Sequence, residues 1–165
     1  MTELNTVIDS LVGDRELVLR FFAFFSRFEY SLKRTGFLKA GDKAEPDWNT
    51  YANSLRGHFG TVKHKEFCDA VAFLLKDPPK TQIVSGTNLD WIDTVQGNGE
   101  HHERYILRLV NTVRNNLFHG GKYPVPIGSM SDVGRNRKLL EAAMSVLTQC
   151  LVLSAPVRAA FEETA

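Results

Sequence analysis

The chain of 165 residues carries 20 basic and 19 acidic side chains, which gives a formal net charge of +1 at pH 7. Apolar residues make up 43% of it and charged residues 24%, as in an ordinary soluble globular protein. This composition excludes wholesale disorder, and the small net charge excludes a strongly basic clamp around nucleic acid. The length predicts one domain, residues 1–165, with a core of its own.

Cysteine content and hydropathy predict the compartment. Two cysteines, Cys68 and Cys150, imply no disulfide framework, and their apolar surroundings predict buried thiols in a reducing environment. The first ten residues lack the basic region and apolar run of a signal peptide. The longest nearly apolar stretch, 142–157, is interrupted by polar residues and is shorter than the roughly 20 residues of a membrane span. We therefore expect a cytoplasmic protein with no membrane segment.

The apolar periodicity is helical along almost the whole chain, with apolar residues recurring at intervals of three and four. Aspartate or serine residues mark several helix starts, and glycine or proline residues mark the ends. The predicted helices cover residues 4–11, 14–38, 47–59, 63–76, 100–118, 132–153 and 154–163. Pro46 stands where the first turn of the third of these helices would begin. The second helix holds six of the eleven phenylalanines, which indicates core or dimer packing rather than stacking on bases.

Two segments lack this periodicity. Lys80 to Gly99 contains three glycines and one short apolar piece, and a loop of this length is typically functional or mobile, either a lid over a cleft or a loose connection. Tyr123 to Gly128 is typical of an extended linker. No alternating strand pattern is found, so the predicted fold class is all-α, a single helical bundle with extra short helices.

The segment from Arg104 to Lys122 is the richest in chemistry. Its polar positions are Arg108, Asn111, Arg114, Asn115 and His119. Asn115 and His119 are four apart and share a helix face. Arg114 and His119 lie about 7.5 Å apart along the axis, and a long guanidinium can swing until both side chains border one pocket.

These residue types suit the cleavage of a phosphodiester. The 2′-hydroxyl of RNA attacks its own phosphate when one group removes its proton and another assists the leaving oxygen. Histidine titrates near neutrality and performs either task, and the helix dipole favours the imidazolium form of His119. Arginine binds phosphate oxygens in a fork and stabilises the charge that builds up on them. The scheme needs no metal or cofactor.

The run Arg114-Asn115-Asn116-Leu117-Phe118-His119 matches the R-N-x-x-x-H pattern of the HEPN superfamily, named for nucleotide binding in higher eukaryotes and prokaryotes. The Gly120-Gly121-Lys122 continuation resembles members of that group, and the stretch from Phe25 to Lys33 is similar to the second-helix region of its bacterial members. The specific part of the resemblance covers about ten residues, at the end of a late helix in a small helical chain.

The resemblance implies a HEPN-like helical bundle that often dimerises, with the arginine and histidine of two protomers lining a shared cleft. For many members it implies a metal-independent endoribonuclease that serves as a toxin or in defence against phage. Carried over, Arg114 binds phosphate, His119 is the general acid or base, and Asn115 orients the site. Arg108, Asn111 and Lys122 then belong to substrate binding, together with Glu29 as a polar partner from the second helix.

Several features leave alternatives open. Glu29 pairs with Arg27, with Lys33, with another basic residue at the edge of the core, or with Arg114 as a buried ion pair. The basic clusters Arg104–Arg108 and 135–138 either guide RNA or are solvated faces. Trp48 and Trp91 either stack on bases or pack ordinarily.

His101-His102-Glu103 suggests a metal site, but adjacent histidines point to different helix faces and no second ligand cluster accompanies them. No metal site is therefore predicted.

The sequence thus predicts a metal-independent endoribonuclease with RNA as its substrate, acting as a homodimer. The alternative is a non-catalytic module of the same type that binds nucleotide or RNA, or a protein such as a nucleotidyltransferase antitoxin. A metal-dependent hydrolase is disfavoured because the chain lacks the carboxylate cluster that it requires.

Overall fold

A computed structural model describes residues 14–119 and 132–163. Its elements are α1 (Arg15–Arg34), α2 (Trp48–Ser54), a 3-10 turn (Phe59–Thr61), α3 (Lys65–Lys76), β1 (Thr81–Ser85), β2 (Asn88–Ile92), α4 (His102–Phe118), α5 (Val133–Leu153) and α6 (Ala155–Glu162). The predicted helix over 4–11, the linker 123–128 and Lys122 lie outside the described residues.

Aspartate caps fix three helix starts. The side chain of Asp14 accepts a hydrogen bond from the backbone N–H of Leu17 (2.9 Å), and Asp132 accepts one from Arg135 (2.8 Å). Asp47 accepts from two backbone N–H groups of α2, at 3.1 and 3.0 Å. Each bond satisfies a donor that the first helical turn leaves unpaired. The predicted starts of α1 and α5 at aspartates are confirmed.

Two helices are shorter than the sequence predicted. Helix α1, the second of the predicted helices, ends at Arg34 rather than near Leu38, because Gly36 adopts a φ of +89° that a right-handed helix does not allow. The helix predicted over 47–59 stops at Ser54, and Gly57, with a φ of +82°, separates it from the 3-10 turn. Pro46 does not begin that helix: it precedes the cap and pairs with Leu38 in an isolated β-bridge.

The expectation of an all-α fold is only partly right, because β1 and β2 form an antiparallel hairpin inside the segment 80–99. The fold of the described residues is mainly helical with this one two-stranded sheet. Gly86 has a φ of +63° and stands first in the two-residue loop, the place where a type II′ hairpin turn takes glycine. The apolar residues of both strands are mostly exposed, so the alternation that marks a half-buried strand is missing.

The core lies between α1, α4 and α5. Phe21, Phe25 and Phe28 of α1 are almost fully buried, whereas Phe22 is half exposed on the opposite face. Helix α5 packs against α1, α3, α4 and α6, and α4 packs against α2, α3 and α5. Because α4 contributes a continuous buried face to this core, its polar face is held in a fixed direction.

The two cysteines differ in burial. Cys150 is fully buried, and burial raises the pKa of its thiol to about 12. The prediction that Cys68 is buried is wrong, because this side chain lies on the exposed face of α3 beside the buried Phe67. An apolar neighbour in sequence lies about 100° around a helix and therefore does not share its face.

Among the described residues, no single helix has both the length and the hydropathy of a membrane span. Helices α5 and α6 together have the length and composition of a membrane span, but the chain bends by 110° between them.

A buried carboxylate ties α4 to the turn before α3. Glu103 is 3% exposed, and its Oε1 accepts hydrogen bonds from the backbone N–H groups of Gly57 (2.8 Å) and Phe59 (3.4 Å). Its Oε2 lies 3.1 Å from Nδ1 of His101. Burial raises the pKa of Glu103, but these hydrogen bonds outweigh it and hold the pKa below its ordinary value.

We expect Glu103→Gln to lower the free energy of unfolding at pH 7 by about 1–3 kcal/mol, since it removes the charge from these hydrogen bonds. The carboxylate of Glu103 binds a proton less tightly in the folded protein than in the unfolded chain, because its pKa is lowered by folding. The wild-type stabilisation is therefore complete above the ordinary pKa of 4.5 and is lost as the pH falls below it. Urea unfolding from pH 7 to pH 3 measures this, with Glu162→Gln on an exposed helix end as the control. An equal acid slope in wild type and Glu103→Gln would contradict the assignment.

Candidate functional site

A groove of about 460 Å³ runs along the polar face of α4. The opposite wall comes from the segment between α1 and α2 and from Glu29 of α1. The α4 side chains recur every three or four residues and so form one stripe, about 16 Å long from Arg104 to Asn115. The lining residues are Glu29, Lys39, Glu45, Pro46, Trp48, Asn49, Arg104, Leu107, Arg108, Asn111, Arg114 and Asn115.

Arg114 is held from several sides. Its Nη2 lies 3.6 Å from Oε2 of Glu29, and its Nη1 donates a hydrogen bond to Oδ1 of Asn115 (2.9 Å). The guanidinium lies over the rings of Phe25 and Phe118, at 5.6 and 5.8 Å from their centroids. Of the pairings that the sequence left open for Glu29, the structure thus has the one with Arg114. These contacts position the guanidinium at the groove while leaving part of it exposed to solvent.

Two asparagine side chains of α4 share the groove with Arg114. Asn111 is half-buried, and its Nδ2 donates to the backbone carbonyl of Leu107 (2.9 Å). Asn115 is exposed, and its Oδ1 accepts from Arg114. Both residues were predicted from the sequence, and both line the groove.

His119 stands apart from this group. It is the C-terminal cap of α4, its backbone N–H donates to the carbonyl of Asn115 (2.9 Å), and its side chain is exposed. It does not belong to the groove lining, although it lies one helical turn beyond Asn115. Within one chain the structure therefore brings Arg114 and Asn115 together in the groove, with His119 at its outer end.

Arg108 binds within the protein rather than standing free for substrate. It forms two hydrogen bonds with Glu100, Nε to Oε1 (2.9 Å) and Nη2 to Oε2 (2.7 Å), and donates a third to the carbonyl of Val95 (2.8 Å). The bonds from Arg108 hold the pKa of Glu100 below its ordinary value. Tyr105 adds a bond from its hydroxyl to the carbonyl of Thr94 (2.8 Å). These contacts fasten the end of the hairpin segment to α4.

The two basic clusters have different roles. Arg104 is exposed, lines the groove and makes no ion pair with the described part of the chain. In the second cluster, Arg135 binds Asp77 through two hydrogen bonds, and Arg137 pairs with Glu141 and Asp14. The second cluster is thus engaged in ion pairs, and Arg104 is the better candidate for an anion.

Trp48 belongs to the groove in a way that the sequence did not reveal. Its Nε1 donates to Oε1 of Glu29 (3.2 Å), and its ring stacks on Phe28 with centroids 5.6 Å apart. Lys39 and Glu45, paired at 3.1 Å, stand beside it. Nothing in the spacing links these residues to α4, because the link depends on how the segment after α1 folds back. In the sequence, Pro46 is the signal for this helix start, whereas in the structure the side chain of Asp47 caps the helix that begins at Trp48.

His101 also has a structural role. Its ring lies over the first turn of α4: Nδ1 is 3.3 Å from the backbone N of Arg104 and 3.1 Å from Oε2 of Glu103, and Nε2 is 2.9 Å from Oδ1 of Asn53. Across residues 14–119 and 132–163, no three histidine, cysteine or carboxylate side chains are grouped so that they could hold a metal ion.

No family model matches this chain, and neither the curated proteins nor the solved structures include one that is similar to it. The site therefore has to be interpreted from its own geometry.

We expect Arg108→Ala to loosen the hairpin segment, because it removes the bonds to Glu100 and Val95. The pair is partly exposed, so the global free energy of unfolding should fall by only roughly 1 kcal/mol. Amide hydrogen exchange should instead accelerate selectively over residues 81–96. Arg104→Ala, four residues away on the same helix, is the matched control. Unchanged exchange over 81–96 in Arg108→Ala would show that the segment is fixed by other contacts.

Proposed function

We propose that this protein is a metal-independent endoribonuclease, of the kind that acts as a toxin or in defence against phage. The observation that carries the proposal is the placement of Arg114 and Asn115, two members of the R-N-x-x-x-H run, in one groove with Arg104, which is exposed and forms no ion pair with the described residues. A groove of this size holds one or two nucleotides of a single strand, and its arginines supply the donors that phosphate oxygens need. The HEPN-like resemblance of the sequence points the same way.

In the proposed reaction the 2′-hydroxyl oxygen attacks the adjacent phosphorus, and the bond from phosphorus to the 5′-oxygen of the next nucleotide breaks. The products are a 2′,3′-cyclic phosphate and a free 5′-hydroxyl. His119 transfers a proton, either from the attacking hydroxyl or to the leaving oxygen. Arg114 stabilises the extra negative charge on the phosphate oxygens, and Asn115 and Glu29 hold its guanidinium in place.

The exposed position of His119 is consistent with a site completed by a second copy. Next to it, Phe22 (50% exposed) and Phe118 (41% exposed) stack with centroids 5.5 Å apart, and Leu19 is 65% exposed one turn away on α1. Phe118 also contacts the guanidinium of Arg114. A homodimer through this apolar patch (Leu19, Phe22 and Phe118) would cover these side chains and bring two copies of the R-N-x-x-x-H run together.

His119→Ala should abolish the cleavage of single-stranded RNA in excess EDTA while leaving the helical circular dichroism unchanged. The expected loss is at least 10²-fold, as for removal of a general acid or base. His58→Ala, an exposed histidine that does not line the groove, is the matched control and should cleave normally. Cleavage at the wild-type rate by His119→Ala would refute this mechanism.

Phe22→Glu should shift the protein from dimer to monomer in sedimentation velocity and reduce cleavage in parallel, because it places a charge in the apolar patch. Val152→Glu, at a comparably exposed apolar position (59%) on α5, should change neither quantity. A wild-type protein that is already monomeric at assay concentration would rule out the dimeric site.

One observation favours a second candidate function. Since His119 does not line the groove, no histidine is among the lining residues, and the groove by itself suits binding without the proposed acid–base step. A non-catalytic module that binds RNA or nucleotide, or one neutralised by a nucleotidyltransferase-type antitoxin, would show groove-dependent binding but no cleavage by wild type.

A further inference from the structure

The groove has features of a site for an unpaired base as well as for phosphate. Asn111 and Asn115 stand one helical turn apart on the same wall, so their side chains are about 5–6 Å apart at Cβ. Trp48 stands on the opposite wall, where it is backed by Phe28. An aromatic ring and two amides lining one groove are the groups that accept a base by stacking and by edge hydrogen bonds.

The internal bonds of the two amides fix their orientation. The carbonyl of Leu107 can only accept, so the group that contacts it is the Nδ2 of Asn111, which leaves Oδ1 as an acceptor without a partner in residues 14–119 and 132–163. The guanidinium of Arg114 can only donate, so the group that contacts it is the Oδ1 of Asn115, which leaves Nδ2 as a donor without a partner in the same part of the chain. The groove wall thus presents one acceptor and one donor side by side.

We propose that this pair reads the edge of one unpaired nucleobase, which donates to Oδ1 of Asn111 and accepts from Nδ2 of Asn115 while it packs on Trp48. Arg104, about 10 Å along the axis from Asn111, then binds a neighbouring phosphate. The inference rests on the proposed function, because it names the part of the RNA that the groove recognises. It also implies a single-stranded ligand, since a base in a paired helix is stacked between its neighbours and cannot pack on Trp48 as well.

The test measures binding separately from cleavage. The probes are fluorescent 2′-O-methyl RNA 8-mers, which lack the attacking hydroxyl and cannot be cut. One series carries all its bases, a second replaces single internal bases by abasic sites, and a third is paired with its complement. Fluorescence anisotropy gives the Kd of each for wild type, Asn111→Ala, and Thr112→Ala. Thr112 is the matched control because it also bonds back to a carbonyl four residues earlier but does not line the groove.

Wild type should bind the complete strand about tenfold more tightly than the strand with an abasic site at the recognised position, and should bind the duplex more weakly than the single strand. Asn111→Ala should reduce the preference over the abasic strand, because the contacts with Asn115 and Trp48 remain, and should leave the affinity for the abasic strand unchanged, whereas Thr112→Ala should behave as wild type. Equal affinity of wild type for the two single strands would overturn the inference, and so would an equal loss of affinity for both in Asn111→Ala.

The two proposals fail in different assays. Absence of cleavage of unmodified RNA in EDTA, with base-dependent binding intact, refutes the nuclease and leaves the base site standing. Cleavage without any preference for the base-containing 8-mer refutes the base site and leaves the nuclease. Absence of binding to every 8-mer overturns the base site as well.

Discussion

The burial of one face of α4 is the constraint on which the candidate site depends. Ile106, Leu109, Val110 and Val113 are fully buried against neighbouring helices, so the helix cannot rotate without exposing them to water. With that face fixed, the side chains at 104, 108, 111 and 115 must point to the other side, into the groove. The packing of the core thus sets the direction of every polar group on the site's main wall.

Polar contacts fasten the start and the middle of α4. At its start, Glu103 binds the turn around Gly57 while His101 caps the first turn. Along its middle, Arg108 holds the segment that returns from the hairpin. Because Arg108 is bonded to Glu100 within the protein, it has a structural role and is not free to bind a substrate.

Arg114 and Glu29 connect the core to the groove. The pair lies where α1 meets α4, with Phe25 under the guanidinium and Trp48 bonded to the carboxylate. A partly buried ion pair of this kind contributes little net stability, because desolvation offsets much of the attraction. Its value is positional: it places a guanidinium beside two amides at a fixed point on the wall.

Within the described residues, the sequence by itself determined where helices occur, though not where α1 and α2 end, together with several caps and the polar face of α4, because these follow from local periodicity and from side chains that bond within three or four residues. It did not determine the hairpin, whose strands are too exposed to alternate, nor the exposure of Cys68, which depends on the face of α3 that meets the core.

Only the tertiary structure decided which residues share the groove. Trp48, Lys39 and Glu45 come to α4 through the fold of the segment after α1. Arg108 forms hydrogen bonds with Glu100, and Glu29 pairs with Arg114 rather than with the other basic residues that the sequence left open. Such contacts join residues far apart in the chain, and their geometry is set by the packing of helices rather than by any spacing within the sequence.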